Sequence, residues 1–225
     1  MAERALSLEL IKTRHPHAVS VSEDRSTDAT EGELQAGLER MLASASARDG
    51  VWIFPYGSLL WKPAIPVGEV RKATVHGWHR RFCLRQIRSR GSPDRPCLMM
   101  ALDRGGACRS VVQRVEAADL HAALWPLWRR EMRGRGYHGR WVRARTAEGH
   151  VTALTFVARR EGARYVGGLT LSQAAGYLAS ACGPRGACAE YLLATVEALE
   201  ALGLRDRNLW RLQGLVADDL VGAVR

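Results

Sequence analysis

The chain has 225 residues, 47% of them apolar and 25% charged, which suits a soluble globular protein with one proper core and suggests no second domain. No stretch approaches the roughly eighteen consecutive apolar residues of a membrane span, and residues 1–14 scatter Leu and Ile among charges without a signal peptide's apolar block, so a cytoplasmic location is expected. The 33 Lys and Arg against 23 Asp and Glu leave a net charge of +10, carried mostly by arginines that are spread along the chain. Such a charge suits nucleic acid or a small anionic substrate; without a basic block or a groove-reading motif, only weak and non-specific nucleic-acid binding is expected.

In chain order, residues 1–30 read as a flexible polar leader, rich in Ser, Thr, Asp and His over 12–30. Thr30-x-x-Glu33 is a capping-box pattern that opens a helix running to about Ser46. Strand-like segments follow near 51–56, 70–76, 78–85, 97–103, 108–115, 140–146 and 151–158, with a hairpin expected at Gly105-Gly106. A helix over 117–133 interrupts them, and Pro126 should kink or divide it. Helices over 171–182, 187–202 and 206–224 finish the chain, with Gly183 and Gly203 placed as stops. Strands followed by helices predict an α+β fold, taken as a single domain over 31–225.

The five cysteines (Cys83, Cys97, Cys108, Cys182, Cys188) are odd in number and form no Cys-x-x-Cys pair. That argues against a disulfide framework and against a thiolate zinc site. Cys83 and Cys108, inside apolar runs, read as small buried hydrophobes. There is no dinucleotide fingerprint and no P-loop, and His15, His17, His76 and His79 are too sparse for ligands, so no metal and no cofactor are expected.

Two segments point to chemistry. Val51 to Tyr56 is a buried-strand pattern that runs into Gly57-Ser58, a turn whose small side chains leave backbone N–H groups uncovered for a carboxylate or oxyanion. An ordinary turn is the plain alternative, and Ser58 as a hydrolase nucleophile lacks the Gly-x-Ser-x-Gly elbow. In the 117–133 helix, Leu124, Leu127, Trp128 and Glu131 stand at i, i+3, i+4 and i+7, one apolar stripe. A carboxylate on that stripe is pushed into a cleft, where desolvation raises its pKa toward that of a general acid/base. A solvated Glu131 paired with Arg135 is the other reading the residues allow.

The run Phe54-Pro55-Tyr56-Gly57-Ser58-Leu59-Leu60-Trp61-Lys62-Pro63 resembles the aromatic-Gly-Tyr-Gly-Ser-Leu-x-Trp-x-Pro signature of the ChaC-like, glutathione-specific γ-glutamylcyclotransferases. Gly77-Trp78-His79-Arg80-Arg81-Phe82, Arg90-Gly91-Ser92-Pro93, Leu127 to Met132 with Gly136-Tyr137, and 180–186 with Glu190-Tyr191-Leu192 resemble further pieces of that family in its order. The resemblance covers about 50–215. It implies a small mixed β-barrel flanked by helices and cofactor-free cleavage of glutathione, or another γ-glutamyl peptide, to 5-oxoproline and cysteinylglycine. It makes Glu131 the catalytic residue, with Phe54, Pro55, Tyr56, Gly57, Ser58 and Leu59 holding the substrate. Tyr137 either closes the pocket or packs, and Tyr191 either packs in the core or points its hydroxyl to the site. The chain departs from the pattern at Pro55 and Ser110, where glycines are usual, and at Cys188, near an expected asparagine. A non-catalytic module of this fold, binding an anion or nucleic acid, is the competing function.

Overall fold

Thr30 and Glu33 form the capping box that their spacing predicts: the Thr30 hydroxyl accepts from the Glu33 amide and the Glu33 carboxylate accepts from the Thr30 amide. They open α2 (Glu31–Ala43) in a computed structural model that describes residues 5–20, 25–44, 50–116 and 118–222. The chain forms two compact units, one of residues 25–81 and 101–165, the other of residues up to 24, 82–100 and 166 onward.

The first unit is built on a barrel. Its strands are β1 (Val51–Ile53), β2 (Val70–Gln86), β3 (Cys97–Val115), β4 (Tyr137–Thr146) and β5 (Gly149–Ala158), in the closed order β1-β3-β2-β4-β5 with β3 also paired to β5. Residues 70–81 of β2 and 101–115 of β3 belong to this unit. The barrel is mixed: β1 runs antiparallel to β3 (Trp52 opposite Arg114) and parallel to β5 (Trp52 opposite Ala153), while β4 and β5 form a long antiparallel hairpin from Tyr137–Ala158 to Thr146–Gly149. Helices α2 and α3 (Leu120–Met132) cover one core, in which Leu34, Leu38, Ile53, Leu124, Leu127, Trp128, Leu154 and Phe156 are buried. Trp128 keys it, donating its indole N–H to the Leu34 carbonyl at 2.9 Å. A Cβ at Gly139 would stand 2.6 Å from the Trp128 ring, so β4 must be bare there.

The second unit holds α1 (Leu8–Arg14), α4 (Leu171–Ser180), the two-residue strands β6 (Cys182–Gly183) and β7 (Gly186–Ala187), α5 (Cys188–Ala201) and α6 (Arg207–Gly222). Residues 82–86 of β2 and 97–100 of β3 belong to it. Phe82 meets Tyr191 of α5 edge-on at 5.8 Å, and Tyr191 is buried as a packing residue.

Several expectations need correction. The leader is not loose over its described residues: Ser7 caps α1, Leu6 and Ile11 are buried, the Leu6 amide donates to Gln213 Oε1 at 2.8 Å, and His15 Nε2 lies 2.7 Å from the Ala179 carbonyl. One buried side chain on seven helical residues and one just before them are too few to register as periodicity, yet enough to dock. Cys97 and Cys188 are joined by a disulfide, their Cα atoms 5.9 Å apart; a separation of 91 residues hides this from spacing rules. Cys83 and Cys108 are buried thiols, as expected. No hairpin forms at Gly105-Gly106: β3 continues through both, and their φ values of 101° and 66° give a kink that only glycine takes without strain. Likewise β2 passes undivided through Gly77, and Pro126 leaves α3 as one helix.

Candidate active site

The turn after β1 is held by its carbonyls. The Phe54 amide donates to Leu154 at 2.8 Å, extending the pairing with β5. Three successive carbonyl oxygens then each receive a buried side-chain donor: Phe54 from Thr155 Oγ1 at 2.8 Å, Pro55 from Ser110 Oγ at 2.5 Å and Tyr56 from Arg80 Nε at 2.7 Å. Thr155 and Ser110 are fully enclosed and Arg80 is 5% exposed. Arg80 also donates to the Arg109 carbonyl at 2.6 Å, and the Tyr56 hydroxyl donates to Phe156 at 2.6 Å. A buried polar group left unmade is costly, so each bond fixes the turn from a different strand of the barrel. The chain then tightens into a 3₁₀ turn over Ser58–Leu60, with the Lys62 amide on the Ser58 carbonyl at 2.8 Å.

Glu131 is linked to that turn through Arg130. Leu124, Leu127 and Trp128 on its stripe of α3 are buried, and the Glu131 side chain is only 13% exposed. Burial pushes its carboxyl above the ordinary carboxylate range, against the lowering pull of the Arg130 cation, whose Nε lies 3.3 Å from Oε1. The pairing with Arg135 does not occur, because Arg135 goes to Glu33 at 2.6 Å. Arg130 carries the link to the turn: it donates to Ser58 Oγ at 2.7 Å and to the Lys62 carbonyl at 2.6 Å. One guanidinium thus touches the turn hydroxyl and the buried carboxylate.

Ser58 and Glu131 thus share Arg130 as a partner, with Tyr56 and Gly57 buried just before Ser58 and Leu59 buried just after it. Phe54 lies deeper, 1% exposed and with both backbone groups bonded, while Pro55 is enclosed and has no N–H. Tyr137 is half-buried at the first position of β4, packed against the cluster around Trp128 and Phe156. Four residues of this arrangement had been given no role: Arg130, Arg80, Ser110 and Thr155. Arg80 and Arg130 lie inside the resembled runs 77–82 and 127–132, and Ser110 stands at a departure from the pattern; Thr155 had no such signal.

The remaining motif pieces meet in the second unit. Arg90 Nη1 donates to the Ala187 carbonyl at 2.7 Å and to Glu190 Oε2 at 3.0 Å. A Cβ on Gly183 would stand 2.7 Å from the Gly91 amide nitrogen, so that approach requires glycine. Among the described residues, no group of three or more His, Cys, Asp or Glu is placed to hold a metal ion.

A family model described as ChaC-like protein matches residues 51–219. The glutathione-specific gamma-glutamylcyclotransferase of Escherichia coli (strain K12) is 36% identical over 175 residues, 77% of this chain and 76% of that protein. Glutathione-specific gamma-glutamylcyclotransferase 1 of Mus musculus is 32% identical over 158 residues, 68% of this chain and 71% of that protein. In fold, the chain resembles the crystal structure of a yeast gamma-glutamyl cyclotransferase specific to glutathione, with a TM-score of 0.67 at 20% identity over 79% of this chain and 98% of that one. With three quarters of its length matched, this chain belongs to the ChaC-like protein family.

Proposed function

We propose that this chain is an intramolecular cyclotransferase that cleaves glutathione to 5-oxoproline and cysteinylglycine. The single observation that carries the reading is a desolvated Glu131 held beside the Ser58 turn by Arg130. The substrate's α-amine, once it has lost a proton, attacks the γ-carbonyl carbon. A C–N bond closes the five-membered ring, and the bond to the cysteinyl nitrogen breaks once that nitrogen is protonated. Holding the two ends together supplies much of the rate, since effective molarities reach about 10⁵–10⁸ M in well-oriented intramolecular reactions.

In this reading Glu131 takes the proton from the ammonium and returns one to the leaving nitrogen. Both steps are served by a carboxyl held above the ordinary carboxylate range, which burial favours against the lowering pull of the Arg130 cation. Backbone N–H groups along Tyr56-Gly57-Ser58-Leu59 and the Ser58 hydroxyl bind the γ-glutamyl moiety and the developing oxyanion. Phe54 and Pro55 shape that turn from inside the barrel, and Tyr137 bounds the pocket. The E. coli and mouse relatives are named for glutathione, which makes it the substrate of first choice. The test is to incubate the purified protein with glutathione and with other γ-glutamyl peptides and to follow 5-oxoproline by mass spectrometry. Release from glutathione that is lost in Glu131→Gln supports the assignment; no 5-oxoproline from any of the peptides refutes it.

A further inference from the structure

Glu131 is the last but one residue of α3, in the turn where a helix has no partners of its own for its carbonyl groups. A carboxyl that moves protons must be held to within about 0.5 Å, so its end of the helix has to be fixed from outside. The chain just past Glu131 is held at its carbonyls. The Arg135 amide donates to Met132 at 3.1 Å, and the Ala29 amide donates to Arg133 at 2.8 Å. Two further holds come from one loop, residues 159–165, which follows β5. Arg164 Nη1 donates to the Gly134 carbonyl at 2.8 Å, and the Arg159 amide donates to the Gly136 carbonyl at 3.0 Å. A Cβ on Gly134 would stand 2.7 Å from Arg164 Nη1, so glycine leaves that place to the guanidinium. The cation also suits the negative end of α3.

The loop is in turn tied to the barrel by a carboxylate that the chemistry at Glu131 does not use. Asp103 of β3 is 3% exposed, and a buried carboxylate is costly unless it is paired and hydrogen-bonded. Its Oδ2 accepts from the Tyr165 hydroxyl at 2.8 Å and lies 3.5 Å from Arg81 Nη1. Its Oδ1 accepts from the Arg104 amide at 2.9 Å and lies 3.5 Å from Arg160 Nε. Arg160 Nε also donates to the Tyr165 hydroxyl at 3.2 Å. Two loop residues thus converge on one buried group of β3, while a third, Arg164, reaches the end of α3. All of these residues belong to the first unit.

We propose that Asp103, Tyr165 and Arg164 are positioning residues for Glu131. Asp103 and Tyr165 latch the 159–165 loop to β3, and the latched loop, through Arg164, keeps the last turn of α3 and its carboxyl in place. The inference rests on the reading of Glu131 as the general acid/base.

The test uses the full chain and the variants Arg164→Met, Tyr165→Phe, their combination and Arg164→Lys. Two readouts are taken: steady-state release of 5-oxoproline from glutathione, and backbone hydrogen exchange over residues 130–136. In the Met and Phe variants kcat should fall about tenfold or more, since a misplacement of about 1 Å can cost about 10²-fold. The Michaelis constant should change little, because the Ser58 turn is untouched. Exchange over 130–136 should quicken in both. The double variant should lose no more than the worse single one, as both act through the same loop. Arg164→Lys keeps a donor for the Gly134 carbonyl and should recover most of kcat.

The proposal is overturned if an active parent and both single variants share one kcat, or if exchange over 130–136 is unchanged. A lowered melting temperature with kcat intact would likewise overturn it, by making the network structural only. A parent that releases no 5-oxoproline refutes the cyclotransferase reading instead, and exchange alone then decides whether the loop holds the end of α3.

Discussion

Ser110 and Pro55 are joined by a hydrogen bond of 2.5 Å, from the buried hydroxyl of β3 to the carbonyl of the turn. Both positions depart from the glycines usual in the resembled signature, and the structure makes the departures partners. Proline removes a donor from the turn, while the serine supplies one to it from outside. Ser110→Ala would leave the Pro55 carbonyl unpaired inside the barrel. A loss of about 1–3 kcal/mol is expected in denaturant unfolding, with reduced turnover. An Ala variant as stable and as active as the parent would show that the bond holds nothing.

Glu131→Gln keeps shape and removes the exchangeable carboxyl. Turnover should fall by at least ~10²-fold with the fold unchanged by circular dichroism. The same variant tests the raised pKa. A carboxyl whose folded pKa is raised contributes stability that is full below its unfolded pKa and is lost as pH rises through the folded value. Gln carries no such penalty, so the variant should be at least as stable as the parent at neutral pH. A Gln variant that is less stable there would contradict the burial argument.

Arg130 lowers the Glu131 pKa while burial raises it. Arg130→Met removes only the lowering influence, so Glu131 should hold its proton to higher pH. The acidic limb of the pH–rate profile should move upward, and the Michaelis constant should rise because Ser58 loses its tether. Arg130→Lys should recover the pH limb more than the Michaelis constant, since charge survives and the fork geometry does not. An acidic limb that stays put or moves down in the Met variant would exclude this account.

The docking of α1 is testable at Ile11, which is fully buried. Ile11→Ala should cost about 2–5 kcal/mol in equilibrium unfolding, the usual range for emptying such a site. A change within a few tenths of a kcal/mol would mean that α1 adds little by docking.

The Cys97–Cys188 bond closes a loop of 91 residues. Chain-entropy arguments put its contribution at about 4–5 kcal/mol in the absence of strain. Peptide mapping without reductant should recover the crosslinked pair, and reductant should lower the melting temperature. Recovery of both cysteines as thiols in protein purified under air would argue against the bond.

Local rules reached Glu131 and the α2 cap from sequence. A 3.6-residue period places Glu131 on the face of Leu124, Leu127 and Trp128, and Thr30 meets Glu33 within one turn, so neither needs the rest of the chain. The Gly57-Ser58 turn was legible for the same reason. What surrounds these residues was decided by barrel closure. Thr155 reaches Phe54 across 101 positions, Ser110 reaches Pro55 across 55, and Arg130 reaches Ser58 across 72. The first two depend on which strands pair and in what register, and a shift of one residue would turn Thr155 and Ser110 to the other face; the third depends on where α3 packs. Arg130 shows the limit most clearly: on the helical wheel it points away from Glu131, and only its long side chain, folded onto the Ser58 turn by the tertiary structure, brings the charge to the carboxylate.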